Sequence, residues 1–101
     1  MAHADALVLD IGKDVGAVIA CTGPGCEGGQ LDLTPAGCAR SHELHNIVRR
    51  RTTPAGDVVF AAVFPQVAQG RYWLWGAGDQ PVAELAVAGG EVTTVCLGGC
   101  L

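Results

Sequence analysis

Turn-forming residues interrupt this chain roughly every 8–12 residues, and no stretch between them sustains an apolar i, i+3, i+4, i+7 pattern with capping signals. That spacing leaves room for short strands and almost none for helix. Residues 6–11 and 15–21 are rich in Val and Ile, and Gly12-Lys13-Asp14 between them is short enough for a hairpin connection. The stretch 22–29, with four Gly and one Pro, is a loop. In 30–34, Leu31 and Leu33 point one way while Gln30, Asp32 and Thr34 point the other, which predicts a half-buried strand ended by Pro35. After a loop at 36–40, residues 43–51 read as one strand whose alternation is broken near Ile47 and Val48, as at a bulge. The near-continuous apolar run 57–64 predicts a central strand covered on both faces and closed by Pro65. Residues 71–75, 82–87 and 91–97 supply the last three strands. The expectation is an all-β chain, a single small antiparallel β-sandwich of about 7–8 strands. It forms one domain over 1–101, with short flexible tails at 1–5 and 97–101.

A chain of 101 residues has one modest core and little room for a separate catalytic subdomain, so function is expected on loops and edges. The net charge of -4 argues against nucleic acid, because phosphate-backbone binding needs clustered cations. The one basic run, Arg49-Arg50-Arg51, follows an apolar pair and reads as a strand end entering a loop. No stretch approaches the roughly 18 apolar residues of a membrane span. The start of the chain lacks a charged n-region and an apolar h-region, which leads to an expectation of a cytoplasmic location.

The segment Val67-Ala68-Gln69-Gly70-Arg71-Tyr72-Trp73-Leu74, following Phe64-Pro65, resembles the x-x-G-x-Y-x-L strand opening of prealbumin-like and carboxypeptidase-regulatory-like domains. The resemblance implies an Ig-like, prealbumin-like sandwich in which 82–95 forms the closing hairpin. In physical terms, Gly70 permits a tight turn into the strand, and Tyr72 can bury its ring while its hydroxyl reaches backbone. The chain is also similar to uncharacterised actinobacterial-type small proteins that open with VLDIG-x-D-x-GA and carry AAVFP, here residues 8–17 and 61–65. That likeness implies no activity. The cysteines are not required by either pattern.

There are five of them, Cys21, Cys26, Cys38, Cys96 and Cys100, and an odd count leaves at least one thiol outside any intramolecular pairing. In a reducing cytoplasm such residues serve as small hydrophobes, metal ligands or redox thiols. Cys21 and Cys96 fall at strand ends, where burial explains them. Cys26 and Cys38 lie in adjacent loops near His42 and His45, and Cys100 follows two glycines at the end of the chain. The candidate metal ligands are therefore Cys26, Cys38, His42, His45, Cys96 and Cys100, holding zinc or copper, since soft thiolates favour those ions. The spacings lack the paired C-x2-C knuckles of a zinc site, and in a regular strand His42 and His45 would face opposite sides.

An enzyme would need a cysteine nucleophile with His42 or His45 as base, and the residues favour that less than a non-catalytic role. Asp10, Asp14, Asp32, Asp57 and Asp79 sit at strand ends and turns, where Asp makes local backbone bonds. Trp73 and Trp75 share a face, with Trp75 the candidate exposed binding anchor. The expected function is a non-catalytic accessory or interaction module that docks on a protein partner or self-associates. The alternative is a Cys/His metal-binding or thiol redox protein.

Overall fold

A computed structural model of the chain describes residues 12–97. It contains eight strands: β1 (Val15–Thr22), β2 (Gln30–Pro35), β3 (Leu44–Ile47), β4 (Arg49–Thr52), β5 (Val58–Ala68), β6 (Gly70–Trp75), β7 (Pro81–Val87) and β8 (Val92–Cys96), with one 3-10 turn at Pro24–Cys26. These form two four-stranded sheets, ordered β4-β5-β1-β8 and β3-β2-β6-β7, called sheets A and B here. The fold is therefore an all-β, two-sheet sandwich, as the turn spacing predicts. The expected first strand at 6–11 and the tails at 1–5 and 98–101 lie outside the described residues. Leu97, expected in the tail, donates its N–H to the Cys21 carbonyl at 2.8 Å and packs on the core.

The core lies between the sheets. Val18 and Ala20 of β1, and Ala62, Phe64 and Val67 of β5, meet Leu31 and Leu33 of β2, Tyr72 and Leu74 of β6, and Leu85 and Val87 of β7. Alternation in each strand aims these side chains inward. The Tyr72 ring is buried, and its hydroxyl donates to the Ala68 carbonyl at 2.6 Å.

Four expectations need correction. First, the sandwich is not wholly antiparallel: β1 and β8 run parallel, with Ala17 opposite Val92 through to Cys21 opposite Cys96. Second, Pro65 does not end its strand. β5 runs on to Ala68, and between Gly16 and Val18 of β1 the register slips so that Pro65 and Gln66 together face a single residue. The bulge needs no ladder bond from the proline nitrogen, and it lets both Phe64 and Val67 point into the core.

Third, the supposed bulged strand at 43–51 is two strands in different sheets. β3 pairs with β2 in sheet B, and β4 pairs with β5 in sheet A. The chain changes sheet at Val48, which is 1% exposed. Its backbone groups are satisfied by the preceding loop: Val48 N–H donates to Gly29 O, and Gly28 N–H donates to Val48 O, both at 2.8 Å. The three arginines, read as a strand end entering a loop, therefore make a separate strand at the edge of sheet A. Charge on such an edge disfavours pairing with a second copy.

Fourth, β2 is not half-buried. Leu31, Asp32, Leu33 and Thr34 are all buried, so the outer face of sheet B is covered where Asp32 lies.

Candidate functional site

The cover over Asp32 is built by the loop after β2. A turn in which Cys38 N–H donates to Pro35 O at 3.0 Å reverses the chain, so that residues 39–43 return across the outer face of sheet B. From this segment Arg40 reaches down. Its Nε donates to Asp32 Oδ2 at 2.7 Å, its terminal nitrogen donates to the Gly78 carbonyl at 2.7 Å, and its guanidinium lies 5.8 Å from the Trp75 ring centre. One side chain thus ties the loop to the sheet and to the β6–β7 connection. Stacking a planar, weakly hydrated cation on an aromatic face adds to the contact.

Asp32 has no exposed side-chain surface and accepts from three side chains. Gln30 Nε2 donates to Oδ1 at 3.0 Å, and His42 Nδ1 lies 3.0 Å from Oδ2. A carboxylate has no proton to give, so Nδ1 of His42 carries the hydrogen of this contact. Burial pushes the Asp32 carboxyl up, but the hydrogen bonds from Gln30, Arg40 and His42, with the Arg40 charge, outweigh burial and leave it below the usual carboxylate range. Beside it, Trp75 Nε1 donates to Thr34 Oγ1 at 2.9 Å, so the other buried polar group of β2 is also paired.

His45 sits directly across from Asp32 in the β2–β3 ladder, and its Nδ1 donates to the His42 carbonyl at 2.6 Å. His42 precedes β3, so the strand geometry that would set the two imidazoles on opposite faces does not apply. Neither ring bonds to a thiol among the described residues: His42 contacts Asp32 and Gln30, and His45 contacts the His42 backbone. The Cys/His nucleophile pair considered from sequence is not assembled there.

Among the described residues the expected metal ligands do not converge, and no group of three or more His, Cys, Asp or Glu side chains is placed to hold a metal ion. Cys26, in the 3-10 turn, is disulfide-bonded and packed into the core, so it offers no thiolate. Cys38 is free and exposed on the β2 loop. Cys96 is free, and its neighbour is Cys21 rather than a histidine. Cys100 lies outside the described residues. Trp75, expected as an exposed anchor, is 6% exposed beneath Arg40.

Its neighbour Trp73 is the tryptophan that reaches the surface. It meets Trp75 edge-on at 6.1 Å and borders an open cleft of about 310 Å³ lined by Trp73, Pro81, Val82, Ala83 and Glu84. Glu84 receives Arg71 Nε at 3.0 Å and Trp73 Nε1 at 3.4 Å, which holds the indole against β7.

Sequence reading set Asp32 on the outward face of its strand and among the aspartates that make local backbone bonds, and gave neither it nor Arg40 a place in a site, whereas Asp32 lies within β2 and bonds to side chains. A signal existed: Gln30, Asp32 and Thr34 alternate on one face of β2, and Arg40 and His42 follow within ten residues, enough for a loop to fold back over that face.

Comparison of the chain with protein-family models, curated proteins and solved structures finds no match. The class it belongs to is set by architecture alone, a two-sheet β-sandwich with a buried ionic cluster on the outer face of one sheet. No helix among the described residues is long and apolar enough to cross a membrane.

Proposed function

We propose that the chain is a non-catalytic β-sandwich interaction module that docks on a protein partner through the β6–β7 margin of sheet B. The observation that supports this reading is Trp73, a partly exposed indole fixed by Glu84 beside the cleft at Pro81–Glu84. Aromatic anchors next to apolar clefts carry most of the energy in many interfaces. Among the described residues β6 is the only strand paired with β7, and on β7 the Ala86 carbonyl accepts from Thr93 Oγ1 at 3.2 Å, so the margin left for a further strand is the part of β7 before Ala86. The partner that fits is an extended protein segment that adds to β7 as a strand and sets an apolar side chain against Trp73. The Ig-like or prealbumin-like identity of the sandwich belongs to the same proposal, supported by the Tyr72 hydroxyl bond to upstream backbone.

The test is selection of displayed extended peptides on the purified protein, with light scattering across a concentration series to read self-association. Binding peptides are expected to carry an apolar residue and to lose at least about tenfold in affinity, roughly 1.4 kcal/mol, on Trp73→Ala. A dimer abolished by Trp73→Ala would make the occupant a second copy. A monomer at every concentration, with no peptide selected, sinks the proposal.

A cytoplasmic location is part of this reading, and the Cys26 disulfide weighs against it, because such bonds persist mainly in oxidising compartments. Protein drawn from its native cells into alkylating reagent decides the matter. In the cytoplasm Cys26 is expected to alkylate without prior reduction; a Cys26 that labels only after reduction removes the cytoplasmic assignment.

The metal-binding alternative now rests on imidazoles. His42 and His45 each donate Nδ1–H to an oxygen, the arrangement that frees Nε2 for a ligand role in metal sites. Native mass spectrometry before and after chelation tests it, and an unchanged apo mass in the presence of zinc rules it out.

A further inference from the structure

We infer that Cys21 and Cys96 form a dithiol modification site, which exchanges with small-molecule disulfides to close a reversible bond between β1 and β8 on the outer face of sheet A.

The two residues are 75 positions apart in sequence and directly opposite in the parallel ladder, at its last register pair. Paired residues in a ladder project to the same face, and neighbouring strands lie about 4.8 Å apart. That separation falls inside the roughly 4.4–6.8 Å between Cα atoms that a disulfide spans, so closure asks for side-chain rotation and little backbone movement. Both thiols are free, and Cys96 lies close enough to Cys21 to affect its ionisation. The outward direction follows from their neighbours. Ala20 and Val95, one residue earlier on each strand, pack toward the core, which turns Cys21 and Cys96 away from it. Burial as strand-end core residues, the reading that the sequence suggests for this pair, therefore does not explain them.

The two thiols differ in a way that suits stepwise exchange. Cys96 is exposed, whereas Cys21 is partly covered. Burial, with the proximity of Cys96, pushes the Cys21 thiol up, which disfavours its thiolate while its partner is reduced. Incoming disulfide therefore meets Cys96 first. The Cys96 thiolate attacks one sulfur of a disulfide such as oxidised glutathione, forms a mixed disulfide and expels one glutathione thiolate. Cys21, as thiolate, then attacks the Cys96 sulfur, forms the Cys21–Cys96 bond and expels the second glutathione. Two electrons pass from the protein thiols to the reagent, and the two thiol protons end on the two released glutathiones. Reduced glutathione in excess reverses each step.

Oxidation would join the first described strand to the last, closing a loop that includes nearly the whole sandwich. Cys38, exposed and without a facing cysteine among the described residues, is expected to stop at a mixed disulfide and serves as the internal comparison.

The experiment equilibrates the full-length protein in glutathione buffers from fully reduced to fully oxidised, traps free thiols with one alkylating reagent, reduces, labels with a second, and maps the peptides by mass. Cys21 and Cys96 are expected to exchange labels together, in equal proportion and along one titration curve, as a peptide cross-link carrying no glutathione. In Cys21→Ser, Cys96 should accumulate as the glutathione adduct. In Cys96→Ser, Cys21 should stay largely alkylatable, with adduct at least about tenfold slower than at Cys96. The inference is overturned if both thiols remain alkylatable in oxidised buffer, if wild-type Cys96 stops at the glutathione adduct, or if either cysteine cross-links to Cys38. Because wild type supplies the decisive reading, misfolding of either variant does not spare the inference. Peptide binding at Trp73 is a separate readout, so either proposal can fail alone.

Discussion

Asp32→Ala is expected to destabilise the sandwich by about 2–4 kcal/mol, measured as a fall in the urea unfolding midpoint. The substitution leaves three donors, on Gln30, Arg40 and His42, without their acceptor. Breaking a fully buried ion pair costs about 3–5 kcal/mol, because the surviving charge is stranded. Here the Arg40 side chain is 25% exposed and regains part of its hydration, which places the expected loss below that ceiling. A midpoint unchanged by the substitution would mean that the cluster contributes nothing to the fold.

The same carboxylate sets a pH dependence with a definite sign. Its pKa is lower in the folded chain than the roughly 3.9 of an unfolded aspartate. Its contribution is then complete above about pH 5 and is lost as pH falls through the folded value. Wild type is expected to weaken between pH 5 and pH 2 more steeply than Asp32→Asn, which has no charge to lose at that position. Parallel acid limbs for the two proteins would contradict the assignment.

The second large effect is expected at two glycines where backbone meets backbone. A Cβ on Gly16 would press on the Ala88 carbonyl oxygen and lie 2.8 Å from that of Glu91; one on Gly89 would overlap the Lys13 carbonyl. These atoms cannot step aside easily. Ala88 O accepts from Glu91 N–H at 3.2 Å, Glu91 O from Ala17 N–H at 3.0 Å, and Val15 O from Gly90 N–H at 2.9 Å, so the β7–β8 turn is clamped against the start of β1. Gly16→Ala and Gly89→Ala are each expected to cost about 3 kcal/mol, the upper end for overpacking, read from thermal or urea unfolding. Gly23→Ala, with nothing within 4 Å of its Cβ, is the comparison and should stay within about 0.5 kcal/mol of wild type. Equal behaviour of the three would show that the turn yields freely.

Most strands were legible because their signal is local. Alternation in 30–34 and the apolar run at 57–64 each act over a few residues, and the structure places strands there; the closing hairpin expected over 82–95 does not form, because β7 pairs with β6 in one sheet and β8 with β1 in the other. The failures share a cause. Ile47-Val48 broke the alternation, and a bulge and a change of sheet leave the same local trace; only the partner strands, β2 for one half and β5 for the other, distinguish them. Pro65 is a sound strand terminator where a ladder bond is needed, and it was overridden by a register slip against Gly16–Val18.

The candidate sites depended still more on what meets what. Asp32 was read as a solvent-facing residue because alternation reports the face of a strand and says nothing of a loop laid over that face. Trp73 and Trp75 are equivalent by period, yet Arg40 covers one and leaves the other at the cleft. Cys26 and Cys38 lie near the histidines in sequence, but bond and fold carry Cys26 elsewhere.

By itself, then, the sequence determined an all-β chain, its approximate strand positions and the apolar faces that form the core, since each follows from side-chain period and turn chemistry acting over a handful of residues. Tertiary structure alone decided that β8 returns parallel to β1 and sets Cys96 beside Cys21, that Val48 carries the chain between sheets, and that Arg40 closes over Asp32 and Trp75. Those outcomes are pairings between distant residues, set by the register in which two sheets bury their apolar faces together, and no local window of sequence contains both partners.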